Sequence, residues 1–303
     1  MENGLLERTG VEIDRRFVRI SCGQRLAYAE AGAGHPVVLI HGTLTTLEDM
    51  TIGLSGELSR RHRVIAFDRP GCGRSETSPM GSTGIARQAR QLLAAIGELG
   101  LERPVLVGHS LGASVALAMA SDAPDEIAGV VALAPLVVVE PRLEQALFGV
   151  RGLPFAGSLV GRVAEATSDQ ALLPALWQAM FLPQAMPDIF AATFPFALAG
   201  RAEATTQVGQ DALAAGPGLM RTFARALTCM VPTSIVGGDR DLVVRNGVHG
   251  RMLAALMPNA EYVDMPGLGH MVHHFAAARL AAIAEGLTGS LPDPGVGDRH
   301  RRR

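Results

Sequence analysis

The 303-residue chain contains no lysine; all 27 of its basic side chains are arginine. That absence excludes Schiff-base aldol chemistry, a pyridoxal-phosphate lysine, and the phosphate loop whose lysine reaches the β- and γ-phosphates. Cysteine is nearly as scarce. Cys22, Cys72 and Cys229 lie far apart with no C-x-x-C pair, which points to a reducing compartment and leaves no disulfide framework or thiolate metal site. Aromatic residues make up only 4% of the chain, too few for stacking platforms or aromatic cages. Neither charge dominates: 27 basic against 29 acidic side chains give a net charge of −2, so nucleic acid is not an expected partner. The longest apolar run, about 129–139, is too short to span a bilayer. Residues 1–10 lack the apolar region of a secretory signal, and no apolar run follows Arg15-Arg16, so a cytoplasmic protein is expected.

What is present is enough apolar material for a large core, with 48% hydrophobic residues and a mean hydropathy of +0.23. Phe17–Ile20 and Leu26–Glu30 read as a first hairpin. Val37–Ile40, Val64–Phe67, Val105–Val107 and Val130–Leu133 are continuous apolar runs, the pattern of strands buried on both faces. Between them lie amphipathic segments such as Ile85–Leu99, where Ala89, Leu92, Leu93, Ile96 and Leu99 share a helical face. This alternation predicts an α/β fold: a mostly parallel central sheet of about eight strands with helices on both faces. Gly32-Ala33-Gly34 and Gly71-Cys72-Gly73 lack the third glycine and following helix of a dinucleotide loop.

The rhythm stops between Pro135 and Pro217, where eight prolines separate apolar helical pieces such as Ala171–Leu182 and Ile189–Ala199. It resumes at Thr233–Val236 and Glu261–Val263, with further helices expected over Arg245–Met257 and His273–Leu287. The expected organisation is an N-terminal extension over 1–15 and a core from 16–135 and 218–289. A helical cap over 136–217 interrupts that core, and an arginine-rich tail follows over 290–303.

One short motif carries chemistry. Gly108-His109-Ser110-Leu111-Gly112 is a G-x-S-x-G, weak alone in a chain with 35 glycines but placed between a buried strand and a small-residue helix over Leu111–Ser121. A serine on such a turn stands above the sheet beside a helix N-terminus that favours developing negative charge. A serine hydroxyl needs a base, and the base needs an orienting acid. Asp241 follows the strand ending at Val236, and His270 follows the strand around 261–263, both at carboxyl ends of strands, where open α/β sheets gather their sites. Asp239 and Glu140 are the rival acids; His273 and His274 read as the start of the last helix, and His41 and His109 as hydrogen-bonding scaffold. Asp68 reads as organising its own turn.

The order Ser110, Asp241, His270, together with His41-Gly42-Thr43 and the block Asp68-Arg69-Pro70-Gly71-Cys72-Gly73-Arg74-Ser75, resembles the α/β-hydrolase fold superfamily over about Phe17 to Leu287. The resemblance implies a nucleophile–acid–base triad and an oxyanion hole from the backbone N–H groups of Thr43 and Leu111. It implies no cofactor and no metal. Serine at position 110 disfavours the dehalogenase and epoxide-hydrolase branches, which need aspartate there. The expected activity is cleavage of a small, apolar carboxylic ester through an acyl-enzyme. Carbon–carbon or lactone hydrolysis by the same triad remains open, as does a hydrolase-fold ligand sensor with little turnover. Arg142, Arg151, Arg162 and Arg201 are the cap arginines that could contact a polar substrate.

Overall fold

The computed structural model describes residues 14–77 and 84–288; most of the expected N-terminal extension and the arginine-rich tail lie outside them. The strands are β1 (Asp14–Arg19), β2 (Arg25–Ala31), β3 (His35–Ile40), β4 (His62–Phe67), β5 (Val105–His109), β6 (Gly129–Leu133), β7 (Thr233–Gly238) and β8 (Ala260–Met265). They form one sheet in the order β1-β2-β4-β3-β5-β6-β7-β8. Both neighbours of β2 run antiparallel to it, and every other pair is parallel. This is the mostly parallel eight-stranded α/β sheet expected from the apolar runs.

The side-chain period of two explains why those runs are unbroken. On β3, Val38 and Ile40 face one side and Val37 and Leu39 the other; all four are fully buried. The first face is covered by helices Ile85–Glu98 and Leu111–Asp122 and by the C-terminal half of helix Ala202–Ala226 through Ala215, Leu219 and Ala226. The second is covered by Leu47, Met50, Leu54 and Leu58 and by Leu280 and Ala284 of the last helix. With β3 and β5 central and covered on both faces, the loops at their carboxyl ends rise from a rigid, fully buried base.

Between β6 and β7 the chain forms six α-helices and no strand: Leu143–Phe148, Gly157–Glu165, Asp169–Phe181, Asp188–Thr193, Phe196–Ala199 and Ala202–Ala226. They bury a separate apolar cluster that includes Phe148, Leu173, Trp177, Phe181, Phe190 and Phe194. Helix Ala202–Ala226 runs through Pro217, the expected end of the cap, and joins this cluster to the sheet.

Most boundaries fall within two residues of the sequence reading, the expected piece Ile189–Ala199 is two short helices, and two boundaries move further. Strand β1 begins at Asp14, three residues earlier than expected, because its ladder with β2 extends to the Asp14–Glu30 pair. The last helix begins at Ala277 rather than His273. The imidazoles of His273 and His274 both turn inward to Asp49, and the short 3₁₀ turn Val272–His274 accommodates them. No helix among the described residues is long and apolar enough to cross a membrane.

Candidate active site

Ser110 sits where β5 ends and helix Leu111–Asp122 begins, with φ 54° and ψ −117°. That conformation is costly for a residue with a Cβ and is imposed by its neighbours. Its backbone N–H donates to the Leu133 carbonyl at 2.9 Å, tying the turn to β6. The flanking glycines are required sterically. A Cβ at position 108 would press into the backbone of Gly112 and Ala113, and one at 112 would press into the carbonyls of Ile40 and His41. The Leu111 N–H is among the first-turn donors of its helix, which have no intrahelical acceptor.

Asp241 follows β7 and His270 follows β8. His270 Nδ1 lies 2.9 Å from Asp241 Oδ2, with both side chains almost fully buried. The carboxylate is saturated: Oδ1 accepts the Val243 and Val244 N–H groups at 2.8 Å each, and Oδ2 also accepts from the Asn246 amide at 3.0 Å. Burial works to raise the Asp241 pKa. The His270 ring and these donors outweigh it, holding the carboxyl below its ordinary value. An ionised Asp241 accepts from Nδ1–H, which leaves Nε2 as the nitrogen able to exchange a proton.

The rival acids are placed elsewhere. Asp239 is exposed and accepts the Gly267 N–H at 2.6 Å. Glu140 binds His249 Nε2 at 3.0 Å and Arg245 Nη2 at 2.5 Å. His249 Nδ1 accepts the N–H groups of Val137 and Val138, so Nε2 carries the proton that Glu140 receives. Asp68 accepts the backbone N–H groups of Leu47 and Arg74. Burial, reinforced by nearby Glu48, pushes its carboxyl up to about 7.

Ser110 and His270 open onto one cavity of about 380 Å³, which Thr43, Leu44 and His109 also line. Its far wall comes from the β6–β7 helices: Leu143, Leu147 and Phe148 on one, Leu176, Ala179 and Met180 on another. Of the four candidate arginines only Arg142 reaches it, clasped by Glu144 at 2.8 Å and Glu140 at 3.6 Å. Arg151 is buried in a two-pronged pair with Asp169, at 2.6 and 2.7 Å, and stacks on Phe148. Arg201 donates to the Gly73 carbonyl, and Arg162 borders a separate shallow depression.

Sequence reasoning missed two supports of this site. The first is Arg69, which is fully buried. It donates to the His41 and Gly42 carbonyls, each at 3.0 Å, and pairs with Asp211 at 3.0 Å. The second is Asp49, whose Oδ1 accepts His273 Nε2–H at 2.9 Å and His274 Nε2–H at 2.8 Å. The rings of His270, His109, His273 and His274 follow one another at centroid separations of 4.6, 4.5 and 4.3 Å. Burial opposes ionisation of Asp49, but the paired imidazoles win and hold its carboxyl well below the ordinary range. Burial holds His109 well below its ordinary pKa, as do the adjoining His273 and His270 rings. Asp49, His109 and His273 bring donor atoms within 4.8 Å of one another, the group among the described residues that could hold a metal ion. His273 Nε2 donates to Asp49 and His109 Nε2 lies 3.2 Å from the His270 carbonyl, while Asp49 Oδ2, His109 Nδ1 and His273 Nδ1 are buried without a hydrogen-bond partner.

A strained serine after a central strand, an acid–imidazole pair on the loops after β7 and β8 and an eight-stranded sheet of this order define a class. The chain belongs to the alpha/beta hydrolase family, whose model matches residues 37–283, and it is a hydrolase of that fold. Among curated proteins it is similar to RutD of Klebsiella pneumoniae (strain 342), a protein named for carbamate hydrolysis. The two are 27% identical over 264 residues, covering 86% of this chain and 94% of that one. Among solved structures it is similar to an alpha/beta hydrolase fold protein from Burkholderia ambifaria, with a TM-score of 0.70, 23% identity, and coverage of 89% and 98% of the two chains. It is also similar to a membrane phospholipase A, with a TM-score of 0.70, 22% identity and coverage of 95% and 88%.

Proposed function

We propose that this hydrolase cleaves a small, apolar carboxylic ester by serine catalysis, with Ser110 as nucleophile, His270 as base and Asp241 as the acid that orients it. The observation that carries the reading is the 2.9 Å Asp241–His270 pair opening, with the strained Ser110, onto a cavity whose wall is mostly apolar and rich in leucine, with Glu140, Arg142 and Glu144 at one side. The β6–β7 helices are read as the cap that supplies that wall.

In the first half-reaction Ser110 Oγ attacks the ester carbonyl carbon as His270 Nε2 takes its proton. Negative charge gathers on the carbonyl oxygen, where the Thr43 and Leu111 N–H groups donate. The imidazolium is stabilised by Asp241 and returns its proton to the departing alcohol oxygen. In the second, His270 takes a proton from water, the hydroxide oxygen attacks the acyl carbon, and Ser110 leaves with the proton. One oxyanion donor is worth about 3 kcal/mol of barrier. Arg142 is already neutralised by two glutamates, which favours an uncharged substrate over one bearing a carboxylate.

The test is a panel of p-nitrophenyl esters of increasing acyl length, with a lactone, an aryl carbamate and a dienol-diketone alongside. Turnover of esters that vanishes in Ser110→Ala supports the reading. Turnover of the diketone or lactone alone moves the chain to another bond type with the same triad. Stoichiometric ligand binding without turnover makes it a sensor.

A further inference from the structure

The loop after β3 presents three carbonyls to buried side-chain donors. Arg69, from the core, takes those of His41 and Gly42. The third, that of Leu44, accepts the indole N–H of Trp177 at 2.9 Å from across the cavity wall. Leu44 has φ 60°, a left-handed conformation that a branched side chain rarely adopts, so something outside the loop must hold it. Trp177 does so twice: through this hydrogen bond, and by packing with Leu44 in the cluster of Phe148, Leu173 and Phe194. Thr43 stands between the carbonyls held by Arg69 and the one held by Trp177, and it lines the cavity beside Ser110. The segment that carries Trp177 also reaches the base. Just past helix Asp169–Phe181, the Gln184 side chain donates to the Gly267 carbonyl and accepts the Gly269 N–H, bracketing the loop that leads to His270.

We propose that Trp177 is the positioning residue of the oxyanion loop: its N–H fixes Leu44, and through it the Thr43 N–H, so that oxyanion stabilisation is complete only while helix Asp169–Phe181 is seated. The inference rests on the serine-hydrolase reading and adds to it that the helix shaping the acyl pocket also sets the rate of attack. A substrate that seats this helix better is turned over faster at saturation, which makes the pocket a selector through kcat as well as KM.

Trp177 is the only tryptophan in the chain, so it can be replaced during biosynthesis by β-(3-benzothienyl)alanine, which keeps the ring shape and substitutes sulfur for the N–H. The expected result on p-nitrophenyl butyrate is a fall in kcat of about tenfold, with KM changed by less than about twofold. The midpoint of the acidic limb of the pH–rate profile stays in place, because the base is not altered, and the thermal midpoint falls only slightly, because the Leu44 carbonyl loses its donor while the ring packing is kept. Trp177→Phe shows the same loss of kcat together with a lower thermal midpoint. Unchanged kcat in the isosteric protein overturns the proposal, and so does a fall in kcat accompanied by a moved acidic limb, which places the effect on His270. Wild-type protein that neither hydrolyses esters nor takes a fluorophosphonate at Ser110 overturns the serine-hydrolase reading and this proposal with it. Wild-type turnover with an unaffected isostere overturns the positioning role alone.

Discussion

The sheet end and the β6–β7 helices meet across one cavity but are built differently. Around Ser110 the backbone itself is locked: Gly108 and Gly112 touch main chain, Asp241 has every acceptor position filled, and the strands beneath are fully buried. The helices opposite also make such a backbone contact, where Gly152 meets Gly209, but are otherwise held largely by side chains, through an aromatic cluster, the Arg151–Asp169 pair and single bonds such as Trp177 to Leu44. On the proposed serine-hydrolase reading, the first region carries the chemistry and the second selects what reaches it. Substitutions at the sheet end are therefore expected to abolish turnover, and those in the helices to redirect it.

The largest effect belongs to Ser110→Ala, for which ester turnover falls by roughly 10⁴-fold or more with the thermal midpoint nearly unchanged. Asp241→Asn keeps the shape of the acid but favours the wrong imidazole tautomer, and kcat falls by roughly 10³ to 10⁴-fold; steady-state kinetics on the same ester checks both. Arg151→Ala leaves Asp169 buried without its partner and costs about 3 kcal/mol. Hydrogen exchange should place that loss in helices Leu143–Phe148 and Asp169–Phe181, with β3 and β5 still protected; equal loss in the strands would break the comparison. Met180→Ala or Leu176→Ala deepens the cavity wall, and kcat/KM should rise about tenfold for acyl chains longer by two or three methylenes relative to short ones.

A further effect, on stability rather than turnover, is a matter of pH. The folded Asp68 carboxyl, raised to about 7, binds a proton that the unfolded chain releases near its ordinary value of 3.8. Its contribution to stability is complete below that ordinary value and is lost as pH rises through about 7. Asp68→Asn, a mimic of the protonated acid, should flatten the dependence of thermal midpoint on pH between about 5 and 8.

What could be read from the sequence follows the same division. The strands were visible because residues buried on both sheet faces must be apolar without interruption. Ser110, Asp241 and His270 were visible because their loops follow those strands in chain order. Trp177 was invisible because its partner, Leu44, lies 133 positions away and is bound through a carbonyl, which carries no residue identity. Asp49 was equally hidden: His273 and His274 are more than two hundred positions distant, and a pair of adjacent histidines reads as a helix start until a buried carboxylate draws both rings inward. Arg69 looked like part of a turn motif, and only the fold shows its guanidinium spanning the loop after β3 and Asp211.

The most direct test of the central claim is to expose the purified protein to a fluorophosphonate and locate the adduct by peptide mass spectrometry. One stoichiometric adduct is expected on the peptide containing Ser110, abolished in Ser110→Ala and slowed in Asp241→Asn. Ester hydrolysis that persists with Ser110 unmodified, or with the adduct on another residue, would contradict it.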